Sequence, residues 1–236
     1  MAVIGITGGA GTGKSFVAKL ASENFDMLHI DTDKLARTQM MPGGVAYAGV
    51  AEAFPDCLAD PGAQAGNGSQ KTQAAGNGSQ KGQAGEDELP LIDRGALAKK
   101  VFNNSELLEK LNSLTHPYVR EAVETLIKTS EGLFDHVLIE TAILADAGYC
   151  PICDAVWLVT APVEDRIKRL KERGYDEERI RSVFASQPTD ERYKETSTYV
   201  IENGEDADKE KILAQLRDAL SFVKTEERPD DDDDDE

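Results

Sequence analysis

Eight consecutive residues, Gly8-Gly9-Ala10-Gly11-Thr12-Gly13-Lys14-Ser15, satisfy the phosphate-loop pattern Gly-x-x-x-x-Gly-Lys-Ser/Thr in full. The spacing answers to polyphosphate chemistry. Glycines let the main chain turn sharply and bring successive N–H groups within reach of phosphate oxygens. A helix beginning inside the loop aims its positive end at the same anion. Lys14 adds a point charge for the β- and γ-phosphates, and the Ser15 hydroxyl suits Mg2+. The nucleotide contact is expected to run from Gly8 through Phe16. A dinucleotide fingerprint does not fit, because its third glycine, counted from Gly9, falls on Lys14. A glycine-rich turn that binds nothing is the plain alternative.

Two further groups suit phosphoryl transfer. Ile30-Asp31-Thr32-Asp33 offers carboxylates after an apolar run, and Asp33 placed near the loop could take the proton of a hydroxyl attacking the γ-phosphate. Its competing role, compatible with the first, is to cap a helix over 34–39. Residues 164–173 carry Arg166, Lys168, Arg169, Lys171 and Arg173. Guanidinium groups on a mobile cover stabilise the charge spread over a transferring phosphoryl group. Arg169 and Arg173, four apart, share a helix face; a solvated basic face is the competing reading. Cys150 and Cys153 have the spacing of half a zinc site. The remaining candidates, Cys57 and three scattered histidines, make no evident four-ligand set, so the pair reads as reduced thiols.

These groups need elements to hold them. Apolar runs at Ala2–Thr7, 27–30, 136–139 and 155–159 read as buried strands. The second strand is expected beside the first, which would bring 31–33 to the loop. Helical patterns begin near Lys14, cover 94–102 and 107–127 with a break or kink near Pro117, and return at 164–173 and 206–223. A turn is expected at 186–190. Strands alternating with helices predict an α/β fold with a parallel sheet covered on both faces. Right-handed crossovers then put the strand C-terminal ends on one ligand-binding edge.

At 236 residues the chain can bury one sizeable core. Ala-Gly-Asn-Gly-Ser-Gln-Lys occurs at 65–71 and again at 75–81, and the polar stretch 61–88 reads as a flexible surface loop. The formal net charge is −18, of which the tail 226–236 supplies −8; that tail is expected to be disordered by self-repulsion. The remainder is still acidic, which argues against nucleic-acid or anionic-membrane partners. No run approaches the roughly 20 apolar residues of a membrane helix. The N-terminus lacks a positively charged leader, so a cytoplasmic location is expected.

Among phosphate-loop proteins, a GTPase usually needs Asn-Lys-x-Asp, which is absent. An ATPase module usually shows a strand ending in Asp-Glu; the nearest equivalent, Val137-Leu138-Ile139-Glu140, has one carboxylate. A small-molecule kinase fits better. The order of motifs then resembles dephospho-coenzyme A kinase. It runs from Ile6–Ser15 of the loop through Ile30-Asp31-Thr32-Asp33-Lys34-Leu35-Ala36-Arg37, Leu91-Ile92-Asp93-Arg94 and Leu114-Thr115-His116-Pro117. It continues through Arg169-Leu170-Lys171-Glu172-Arg173, Gln187 and Val200-Ile201-Glu202-Asn203-Gly204.

The resemblance covers about residues 2–220 without the repeat loop and tail. It implies an ATP-dependent phosphotransferase making coenzyme A from dephospho-CoA, with Mg2+, by transfer to the ribose 3′-hydroxyl. It also implies Asp33 as general base, Arg37, Arg94 and His116 on the acceptor side, Arg169 and Arg173 in the lid, and Asn203-Gly204 near the adenine. For His116 a hydrogen-bonded structural role competes. Its architecture would be a single P-loop kinase domain over 1–225, with a core of about 1–40 and 132–225. A helical acceptor insert of about 41–131 and a lid of about 164–190 would complete it. Two stretches depart from the family pattern, Ala142-Ile143-Leu144-Ala145-Asp146 and Ser197-Thr198. A nucleoside or nucleotide monophosphate kinase, and a nucleotide-binding switch without an acceptor, remain the alternative readings.

Overall fold

Buried on every residue, Ala2–Thr7 (β1) is the strand on which the sheet is built. Four parallel strands join it: Met27–Asp31 (β2), His136–Glu140 (β3), Ala155–Thr160 (β4) and Tyr199–Glu202 (β5), in the order β2-β3-β1-β4-β5. The computed structural model describes residues 1–59, 89–102, 104–142, 144 and 148–223. The repeat-bearing stretch expected at 61–88 and the tail 226–236 lie outside them, as do Ile143, Ala145 and Asp146 of the first departure. Among the described residues no helix is long and apolar enough to cross a membrane.

The strand order corrects one expectation. β2 does not pair with β1, because β3 lies between them, with Ile6 and Asp31 both opposite Glu140 in the two registers. Hydrophobic runs say which segments are strands, but the crossover that skips a position leaves no trace in them. β5 was not anticipated as a strand: four residues, only one of them fully buried, are too few for a periodic signal. β3 is followed not by an α-helix but, among the described residues, by a 3-10 turn at Cys150–Ile152.

Side chains alternate across β1. Ala2, Ile4 and Ile6 face a core with Trp157 and Ile201, capped by helix α1 (Lys14–Asn24) through Val17, Ala18 and Ala21. The C-terminal helix, Lys209–Ser221, adds Ile212, Leu216 and Ala219 to the same core. On the opposite face Gly5 admits its neighbours closely: a Cβ there would stand 2.7 Å from Leu144 Cδ2 and 3.1 Å from Cys153 Sγ. Burial pushes the Cys153 thiol up to about 12, so it is an inert packed sulfur. Neither Cys150 nor Cys153 is bridged by a disulfide.

Chain contacts divide the protein into Met1–Asp33 with Val123–Glu236, and Lys34–Ala122. The second unit holds the helices α3 (Tyr47–Ala53) and α4 (Arg94–Phe102) around Val50, Phe54, Cys57, Leu97 and Val101. The chain leaves and re-enters the described part side by side, with Ala59 N–H donating to Leu91 C=O at 2.7 Å and Asp93 N–H to Cys57 C=O at 2.7 Å. The next helix, α5 (Ser105–Thr129), is one 25-residue element with Pro117 inside it, where the sequence suggested a break or kink. Proline removes one N–H and leaves the neighbouring turns their own bonds.

Candidate active site

The phosphate loop leaves β1 and enters α1 at Lys14. Its turn needs left-handed backbone at Gly13 (φ 90°), and Gly13 must also lack a side chain, since a Cβ would stand 2.2 Å from Asn203 Nδ2. That contact has a purpose. Asn203 is buried and donates Nδ2–H to Thr12 C=O at 2.8 Å, while its own N–H donates to Thr160 C=O at 2.8 Å. Gly204 follows directly, packed near Pro162 and Asp165. Thr12 closes the loop internally, its hydroxyl donating to Gly9 C=O at 2.8 Å.

Lys14 folds back over the loop, with Nζ donating to Gly8 C=O at 2.6 Å. Burial holds this ammonium below the ordinary lysine range, against the opposing pull of Glu140 and Asp33 and with help from the charges of Arg166 and Arg173. Two carboxylates and two guanidinium groups thus act on the charge of Lys14. Asp33 is exposed in the first turn of α2 (Thr32–Gln39). That helix begins at Thr32, two residues before the one over 34–39 considered above, so Asp33 lies inside its first turn.

Glu140 organises the other edge. This side chain, 7% exposed, accepts the Ser15 hydroxyl at 2.5 Å on one oxygen and contacts His29 Nε2 at 2.9 Å on the other. Thr32 donates its hydroxyl to the Glu140 carbonyl at 3.1 Å. Burial pushes the carboxyl up, but the hydrogen bonds from His29 and Ser15, with the charge of His29 and Lys14, outweigh it and hold Glu140 below its ordinary range. Glu140 and His29 were not among the residues picked from sequence. The signal for Glu140 was its position at the end of an apolar strand; His29 sits between apolar neighbours and gave none.

The helix α6 (Val163–Glu172) meets the loop from above. Arg169 donates Nη1 to Gly11 C=O at 3.2 Å and to Thr12 C=O at 3.3 Å, and Nη2 to Asn203 C=O at 2.8 Å. Arg173 follows the helix and is exposed. Arg166, which sequence reasoning passed over, is the buried arginine of this helix, and Leu170 is buried beside it. Phe16 is half-exposed on the first turn of α1.

Loop, half-buried lysine, Ser15–Glu140 pair and arginine helix thus meet at one end of β1. The dephospho-CoA kinase family profile matches residues 2–67 and 85–209. The chain belongs to the dephospho-CoA kinase family. Two proteins named dephospho-CoA kinase are similar over nearly the whole chain. One, from Carboxydothermus hydrogenoformans, is 31% identical over 91% of this chain and 93% of its own length. The other, from Corynebacterium glutamicum, is 32% identical over 94% and 100%. A solved structure from Thermus thermophilus has a TM-score of 0.70 at 26% identity, covering 94% of this chain and 98% of that one. A dephospho-CoA kinase structure from Campylobacter jejuni shares the fold, with a TM-score of 0.56 at 18% identity over 93% and 95%.

The expected acceptor residues of this dephospho-CoA kinase family member lie in the second unit. Arg37 is exposed near the end of α2, and Arg94 is exposed at the start of α4. Asp93 sets that start, its Oδ1 accepting from Gly95 N–H at 2.8 Å and Ala96 N–H at 3.1 Å. His116 lies in α5, where burial alone holds its pKa below the ordinary histidine value. At the second departure from the family pattern, Thr198 exchanges hydrogen bonds with both backbone groups of Val156, at 3.0 Å each, and so starts β5.

Proposed function

We propose that this chain transfers the γ-phosphate of ATP to the ribose 3′-hydroxyl of dephospho-CoA, giving coenzyme A and ADP, the last step of coenzyme A biosynthesis. The observation that carries the reading is Lys14 folded onto the phosphate loop, its Nζ donating to Gly8 C=O at 2.6 Å, with the charges of Glu140 and Asp33 acting on it. A lysine so placed has its charge partly offset until a polyphosphate arrives, and Asp33 is the carboxylate that would take the proton of an alcohol attacking the γ-phosphate.

In this reading Gly8, Gly9, Ala10, Gly11, Thr12, Gly13, Lys14, Ser15 and Phe16 receive ATP, and Asn203 and Gly204 border the adenine. Asp33 takes the proton of the 3′-hydroxyl as that oxygen bonds to the γ-phosphorus; the bond from phosphorus to the β–γ bridging oxygen breaks and ADP leaves. Lys14, Arg169 and Arg173 neutralise charge on the moving phosphoryl group. Arg37, Arg94 and His116 hold the acceptor. Cover by the segment 164–190 excludes water, which protects the phosphoryl group from hydrolysis. ATP and dephospho-CoA are its small-molecule partners, and a cytoplasmic setting suits a biosynthetic enzyme of this type.

Ser15 fits a Mg2+ ion. Its hydroxyl proton is already directed onto the Glu140 carboxylate, which leaves the oxygen lone pairs for a cation. Among the described residues no group of three or more His, Cys, Asp or Glu side chains could hold a metal, so phosphates and water would supply most ligands, as magnesium prefers. Held at Ser15, the ion would supply positive charge against the phosphates. A coupled ADP-release assay with dephospho-CoA, with nucleoside monophosphates and with no acceptor tests the proposal. ADP release that depends on dephospho-CoA supports it; equal release without an acceptor, or release only with monophosphates, overturns it.

A further inference from the structure

Both backbone polar groups of Ala10 are held. Its N–H donates to Gln187 Oε1 at 2.7 Å, and its carbonyl accepts Arg166 Nε–H at 2.9 Å. Both partners are distant in sequence. Arg166 comes from α6, and Gln187 from the turn between α7 (Glu177–Ser186) and α8 (Asp190–Thr196).

Arg166 is itself fixed. It is 7% exposed, its Nη1 donates to Asp190 at 3.1 and 3.4 Å, and its guanidinium carbon lies 4.7 Å from the centre of the Phe184 ring. The planar fork is therefore spent on a carbonyl, a carboxylate and an aromatic face, a combination lysine could not reproduce. Gly9 makes room for it: a Cβ there would stand 2.3 Å from Arg166 Nη2. Residues of three successive helices and the turn between two of them thus converge on the two peptide groups that flank the Ala10 Cα.

We propose that Arg166 and Gln187 are positioning residues that hold the backbone at Ala10, on both sides of its Cα, and through it the phosphate loop, in the shape that receives ATP. The proposal rests on the kinase reading above and deepens it. A turn containing Gly8, Gly9, Gly11 and Gly13 has more conformational freedom to lose than any other backbone. Fixing it in advance lowers the cost that nucleotide binding would otherwise meet. The charge of Arg166 also weighs more on Lys14 than that of Arg173. Arg166 acts through the loop backbone, so its effect belongs to ATP affinity before turnover.

Amide exchange at Ala10, followed by NMR on the full chain without nucleotide, reads the grip directly. Gln187→Ala removes the acceptor and is expected to speed exchange there about tenfold, the effect of losing one hydrogen bond of ordinary net strength. Gln187→Glu keeps the acceptor and restores slow exchange. In kinetics, Gln187→Ala and Arg166→Met each raise KM for ATP about tenfold and leave kcat within about threefold. Because Arg166→Met empties a buried site and can unfold the chain, the surface-side Gln187 pair carries the test on its own. Unchanged Ala10 exchange in Gln187→Ala, or faster exchange with KM for ATP unchanged, overturns the positioning role. Wild-type transfer to dephospho-CoA is measured alongside. Its failure would count against the kinase reading, while the exchange result still judges the grip.

Discussion

Replacing Glu140 with Gln is the perturbation whose size the structure defines best. The carboxylate accepts Ser15 Oγ–H at 2.5 Å and pairs with His29 at 2.9 Å while almost fully buried. Gln keeps the shape and one acceptor but removes the charge. Hydrogen bonds to a charged group are worth about 1.5–3 kcal/mol, against about 0.5–1.5 kcal/mol for neutral pairs. Two such bonds weakened by about 1 kcal/mol each give a loss of about 2 kcal/mol, or roughly 30-fold. The loss should appear in kcat/KM for Mg-ATP, because a hydroxyl that gives its lone pairs to a cation must send its proton to an acceptor. Steady-state kinetics across a magnesium titration, with thermal unfolding as the control for folding, measures it. On a Ser15→Ala background the same replacement should cost about half as much, about 1 kcal/mol, since the shared partner is gone. A change under threefold in Glu140→Gln, or full additivity with Ser15→Ala, would refute the reasoning.

Asp33→Asn should lower kcat by about 10²- to 10⁴-fold, the usual range for a general base, with ATP binding by calorimetry little changed. Lys14 has a folded pKa below the lysine value because of burial, so between the two values the unfolded chain binds the extra proton and stability rises with pH. Nucleotide phosphates reverse the shift, and ATP binding at pH values between the two should take up protons, seen as calorimetric heats that depend on buffer ionisation enthalpy; buffer-independent heats would contradict it. Glu140 has the opposite dependence on its own account: held below its ordinary range, it stabilises the fold above that range and loses the contribution as pH falls through the depressed value. Leu216→Ala, at a fully buried position of the main core, should destabilise by about 2–5 kcal/mol in denaturant titration.

The phosphate loop was fully legible because its chemistry is local: eight neighbours define the turn, the charge and the helix start. The parallel sheet was legible from four apolar runs, for the same local reason. What escaped depends on pairing at a distance. Glu140 and Ser15 are 125 residues apart and meet because β3 enters the sheet between β1 and β2. Arg166 lies three positions before Arg169 on a helix rich in basic residues, and docking beside buried Leu170 decides which arginine turns inward. His29 depends on the same neighbouring strand for its partner.

Incubation of the full chain with Mg-ATP and dephospho-CoA, with the product identified by mass spectrometry and phosphorus NMR, tests the account at its centre. One phosphoryl group added at the ribose 3′-oxygen, in step with ADP formed, is the result expected. ADP and inorganic phosphate with dephospho-CoA left unaltered would contradict it.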